Sequence, residues 1–190
     1  MSVSAIHEAG HRVTGLDFST SVHESAHAVI AAHYGFVITA LSIEPAAGHM
    51  GVTERQLPDL EPEYVERARR QSSEQRRRVL DRAALMLATI SLAGPTGERL
   101  LGALPECVIE ECARTDYDRA QSMVAEISDA DRRYTLYLAR AEAKARGLVR
   151  SLWGEILELA VVLARRRRLD ADEIRAIIER STPETVEMGA

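Results

Sequence analysis

Two short runs in this chain carry residues whose spacing suits metal chemistry. His23-Glu24-Ser25-Ala26-His27 reads H-E-x-x-H, and so does the earlier His7-Glu8-Ala9-Gly10-His11. On a helix, positions i and i+4 share a face, so both imidazoles of such a run reach one metal ion. The glutamate, offset by one residue, reaches a water in the open coordination position and can act as its base. Zinc suits this donor set, because neutral imidazoles bind it and leave room for a reactant. The plain alternatives are ordinary half-buried histidines and a capping box, since Ser21-x-x-Glu24 also closes a helix start. The two copies differ in context. The later one runs into Ala28, Val29 and Ile30, an apolar helical face. The earlier one is followed by Arg12, Thr14, Gly15 and Asp17, which make a poor one. The site is therefore expected on 23–27.

The elements that must position these residues follow from periodicity and punctuation. Residues 1–20 read as an irregular segment, broken by Gly10, Gly15 and Asp17–Ser21. Val22–Tyr34 is helical and Gly35 is its stop. Phe36–Ile43 is a strand, and Met50–Arg55 a second, shorter one. Tyr64–Leu92 is a long helical stretch that Gly94, Pro95 and Gly97 interrupt, with a restart over Glu98–Ala103. Leu104–Arg114 is a loop or broken helix, and Thr115 with Asp118 caps the next helix. Asp129–Ala164 holds one or two amphipathic helices with weak points at Gly147 and Gly154. Asp170 and Glu173 open a last helix to Arg180, and 181–190 is a flexible tail. The expected class is mainly α with a small sheet (α+β): one domain over 21–180 in which an H-E-x-x-H helix, zincin-like, joins a helical bundle.

Composition removes several alternatives. The chain has 190 residues, a formal net charge of −5 and two cysteines, Cys107 and Cys112. Mild acidity argues against a nucleic-acid binder, and so few cysteines against a disulfide scaffold. No apolar run reaches the length of a membrane span, and the cytoplasm is the expected location. The basic run Arg165–Arg168 reads as a solvated helix end.

Several segments together resemble one family. HESAHAVIAAHYG (23–35), ITALSIEP (38–45) and GHMGVTERQLP (48–58) are similar, in order, to the proteolytic domain of FtsH-type zinc peptidases. SLAGPTGERLLG (91–102) and RTDYDRA (114–120) resemble two later segments of that domain, and Glu155–Glu179 its closing helices. The resemblance covers about residues 20–180. Ala26 stands where the family has glycine, and Val52 where an aromatic is common. Neither the family's membrane helices nor the phosphate-binding loop of its ATPase has a counterpart here.

A catalytic zinc needs a third protein ligand. The residues alone leave Asp116, Glu98, Cys112 and Asp118 as choices; the resemblance assigns the role to Asp116. Glu98 then orients one of the histidines, and Asp118 caps a helix. What the resemblance implies is a zinc-dependent endopeptidase with Glu24 as general base and a zinc ion on His23, His27 and Asp116. Its substrates would be unfolded or flexible polypeptides, laid along Met50, Gly51, Val52 and Thr53. A separate unfoldase or a homo-oligomer is the expected partner, and no nucleic acid or membrane. The alternative is a helical interaction protein of the same fold that keeps zinc and has lost turnover.

Overall fold

The computed structural model describes residues 14–45, 51–56, 72–128 and 131–181. Its first helix, α1, spans Gly15–His33. Thr14 and Asp17 form its capping box: the Thr14 hydroxyl accepts from the Asp17 N–H at 3.1 Å, and the Asp17 carboxylate accepts from the Thr14 N–H at 3.1 Å. The helix thus starts ahead of Val22, correcting the irregular reading of residues 15–20. Gly15 occupies the first turn, and Asp17 is the capping partner rather than a breaker. Ser21 is inside the helix and donates to the Asp17 carbonyl at 2.8 Å, so it caps nothing. At the far end Gly35 takes φ +84, and the Phe36 N–H reaches back to the Ala31 carbonyl at 3.1 Å. That is the glycine stop expected from the sequence.

Strand β1 (Val37–Ser42) is the middle of a three-stranded antiparallel sheet in the order β2-β1-β3. Strand β2 (Val52–Gln56) is one edge. Its register pairs Leu41 with Thr53 and Ile38 with Arg55, with a bulge between Ile38 and Ala40. Met50 and the earlier H-E-x-x-H copy lie outside the described residues, as do the proposed tail beyond 181 and 64–71 of the long helical stretch.

Helix α2 (Ser73–Ser91) is capped by Ser72 and Gln75 and is buried only toward its C-terminal end. A single residue, Leu92, separates it from α3 (Ala93–Leu101). Gly94, Pro95 and Gly97 therefore lie inside a helix. Proline is harmless in a first turn, where its missing N–H would have had no partner. Helix α4 (Glu106–Cys112) forms where a loop or broken helix was expected, and α5 (Arg114–Ile127) follows with no side-chain cap. Thr115 and Asp118 are thus within α5, and Asp118 is exposed. Helices α6 (Asp131–Ser151) and α7 (Trp153–Arg166) part at Leu152, with Gly147 and Gly154 inside them. Asp170 and Glu173 do cap α8 (Ala171–Ser181): the Glu173 N–H donates to Asp170 at 3.0 Å and the Asp170 N–H to Glu173 at 3.2 Å.

The basic run is not simply a helix end. Arg167 takes a left-handed φ of 66, and Arg168–Asp170 then forms β3 with Leu169 buried opposite Leu41. The fold class is the expected one, mostly helical with a small sheet.

Apolar burial concentrates on α1, which is wrapped by β1, α3 and α7. Val22, Ile30, Leu41, Ile156, Leu159 and Leu163 fill this core. A second cluster joins α2, α5 and α6 through Ala88, Leu92, Ala120, Val124, Ala141 and Ala145. Its small side chains let those helices approach closely, which brings the start of α5 to the side of α1. No helix among the described residues is long and apolar enough to cross a membrane.

Candidate metal centre

His23 and His27 project from the same face of α1, and their Nε2 atoms lie 3.0 Å apart. Each ring is fixed from behind. The Nδ1–H of His27 donates to the Ile90 carbonyl, near the end of α2, at 2.7 Å. A carbonyl only accepts, so the proton of neutral His27 is on Nδ1 and its Nε2 presents a lone pair. His23 Nδ1 is 2.9 Å from Glu98 Oε2, and a carboxylate makes the same demand. Ser19, one turn before His23, holds the other oxygen of Glu98 at 3.1 Å. Glu98 therefore braces His23 from the side opposite Nε2, as an orienting carboxylate does in metal sites.

Asp116 enters from the first turn of α5. Its Oδ2 is 3.0 Å from His23 Nε2 and 3.5 Å from His27 Nε2. With both histidines neutral, three lone-pair atoms would face one point, which only a cation or a proton can relieve. Tetrahedral bonds of about 2.0–2.1 Å separate zinc ligands by about 3.3 Å, so the three atoms need move only a few tenths of an ångström to hold the ion. Gly94, in the first turn of α3, lies against both rings. A Cβ there would stand 2.5 Å from each Nε2, so a side chain is incompatible with this arrangement. The donor set thus fits zinc in type, number and spacing.

Without metal, a proton takes the central place. Burial works against a charged His23, but the hydrogen bonds to Asp116 and Glu98 outweigh it and push the ring from an ordinary 6.5 to about 10. Burial likewise opposes ionisation of Asp116, yet the hydrogen bond from His23 holds the carboxyl well below the usual range. A raised histidine pKa stabilises the fold fully below 6.5, and the benefit disappears as pH rises through about 10. The metal-free protein should therefore lose thermal stability steadily between about pH 6.5 and 10. Zinc held by the same atoms would displace the proton and should flatten that slope. Melting curves in EDTA and in zinc across this range check it; parallel slopes would contradict it.

Glu24 leaves the helix toward the sheet. The Thr53 hydroxyl donates to its Oε2 at 2.6 Å, and Gly51 sits so close that a Cβ would fall 2.6 Å from Oε1. Glu24 is thus held by the edge strand rather than by a capping role. His23, Glu24, His27, Gly51, Thr53 and Asp116 share one cavity of about 280 Å³. Val52 also lines it, but half exposed.

Of the rivals for the third ligand, Glu98 is engaged on the far side of His23, and Asp118 is exposed. Cys112 borders the cavity, yet the metal-compatible cluster among the described residues comprises only His23, His27 and Asp116. Sequence reasoning missed Ser19, because 17–21 read as a break; its i, i+4 relation to His23 was the available signal. It also missed the Ile90 carbonyl and the hydroxyl of Thr53 as a partner of Glu24. Set against known proteins, the chain matches no family model and no curated sequence.

Proposed function

We propose that this chain is a zinc-dependent endopeptidase acting on unfolded or flexible polypeptides. The observation that carries the reading is the convergence of His23 Nε2, His27 Nε2 and Asp116 Oδ2 beside a buried glutamate in one open cavity. Zinc held there would supply a Lewis acid for the scissile carbonyl and lower the pKa of water toward neutrality. The protein's own groups do the remainder. Glu24 takes a proton from the attacking water and returns it to the leaving amine. The Thr53 hydroxyl keeps Glu24 Oε2 in place during both transfers. Glu98 and the Ile90 carbonyl keep both imidazoles in the Nδ1–H tautomer. An extended substrate would add to the edge of β2 that is unpaired among the described residues, so backbone hydrogen bonds would dominate and folded domains would resist.

Cytoplasmic residence belongs to the same proposal, and Cys107 and Cys112 are both free and exposed, as thiols are in a reducing compartment. The test is the zinc content of the dialysed protein together with hydrolysis of fluorescent casein. About one zinc per chain and turnover without ATP are expected. Stoichiometric zinc with no turnover on any unfolded protein would return the reading of an inactive, zinc-holding interaction protein.

A further inference from the structure

Two arginines line the same cavity as the candidate metal centre and have no part in building it. Arg55 is on β2, two residues beyond Thr53 and so on the same face of the strand. Arg119 is one turn beyond Asp116 on α5. They come from opposite walls, and each stands next in its element to a residue of the centre.

Their local partners are thin. The Arg55 guanidinium lies over the Phe36 ring, 5.8 Å from its centroid, and makes no ion pair with a carboxylate among the described residues. It is half-buried, which is costly for a cation with no carboxylate at ion-pair distance among the described residues. A ring under the guanidinium plane leaves its N–H edge available. Arg119 approaches Asp116 Oδ1 only to 4.0 Å, and its side chain is 62% exposed. The carboxylates near them are already committed: Asp116 to the histidines, Glu24 to Thr53, Glu98 to His23 and Ser19. Burial depresses the ionisation of Arg55, and the charge of Arg119 adds to that effect while Asp116 opposes it. Among the described residues, the two cations therefore face a common space whose one carboxylate at ion-pair distance, Asp116 beside Arg119, is already engaged by the histidines.

We propose that Arg55 and Arg119 form an anion subsite that selects polypeptides carrying a carboxylate close to the scissile bond. The inference rests on the peptidase reading of this cavity and adds its substrate class. Guanidinium groups bind carboxylates in a forked, bidentate fashion, which suits a pair arriving from two walls. Arg55 is about 7 Å along the strand from Thr53, the partner of Glu24, so the substrate acid lies within about two residues of the bond cut. The carboxylate has two possible sources, an aspartate or glutamate side chain and a chain end.

Four matched fluorogenic decapeptides separate them: a central glutamate or glutamine, each with a free or an amidated C-terminus. The wild type should cleave the glutamate peptides with kcat/KM at least about tenfold above the glutamine ones, the scale of one charge-assisted hydrogen bond. In Arg119→Gln and Arg55→Gln that ratio should collapse toward one. Arg119 is exposed, so its variant keeps the test open should Arg55→Gln fold poorly. A preference that follows the free C-terminus instead, and is lost in the same variants, assigns the subsite to chain ends. Turnover of all four peptides at equal kcat/KM overturns the subsite and leaves the peptidase reading intact. Should the wild type cleave none, the peptidase reading fails, and fluorescence anisotropy of the labelled peptides decides the subsite by itself. Tighter binding of the acidic peptide, lost in the arginine variants, supports it; equal binding refutes it.

Discussion

Glu24→Gln is expected to keep its zinc and lose hydrolysis by roughly a hundred- to ten-thousand-fold, the range of a general base removed from the reacting water. The separation of the two effects comes from geometry. Glu24 contributes none of the three atoms that converge on the candidate metal position; it points to β2, where Thr53 donates to Oε2. Glutamine fills the same space over Gly51 and can accept that bond through its amide oxygen. It cannot take up a proton. Fluorescent casein measures the loss, and elemental analysis of the same sample measures the metal. Undiminished turnover in the variant would remove Glu24 from the mechanism.

The second large effect distinguishes Asp116 from Glu98. Asp116→Ala removes one of three converging donors and should leave the dialysed protein with little zinc. Glu98→Gln should weaken zinc by about 10- to 100-fold, the usual cost of altering a partner behind a ligand. A glutamine oxygen still accepts from His23 Nδ1–H, so the ring keeps its tautomer. Alanine at 116 leaves no donor at all. Titration with a competing chelator ranks the two. Zinc retained in Asp116→Ala and lost in Glu98→Gln would reverse the assignment of these carboxylates.

What could be read from residue order was whatever local rules decide. The i, i+4 spacing of His23 and His27, the glycine after Tyr34 and the Asp170–Glu173 box all act within one or two turns, and each is found in place. Misreadings arose where one residue type serves two purposes. Asp17 is polar enough to suggest a break, yet three residues after Thr14 it closes a helix. Gly94 and Pro95 look like interruptions, but one makes room for two imidazoles and the other occupies a tolerant first turn. Strand β3 has only three residues, set in a run of arginines, and exists because β1 offers it a partner. The braces behind the histidines were invisible for the same reason: Ser19 and Glu98 are 79 positions apart, and His27 and Ile90 are 63. Only packing brings such pairs together.

The clamp between Arg167 and α1 bears on how the protein is made. Arg167 reaches across 150 positions to Asp17, the capping residue of α1, and also holds the Ile43 carbonyl at 3.2 Å. Helix α1 is therefore translated early but secured late. While the chain leaves the ribosome, Val22 and Ile30 have no α7 to cover them. The two histidines also wait for Asp116 before three donors exist. Vectorial synthesis thus separates, in time, the apolar helix from the completed candidate metal centre. Late closure of this kind leaves apolar surface exposed for longer during folding. In return, the three donors His23, His27 and Asp116 come together only once most of the described fold is in hand.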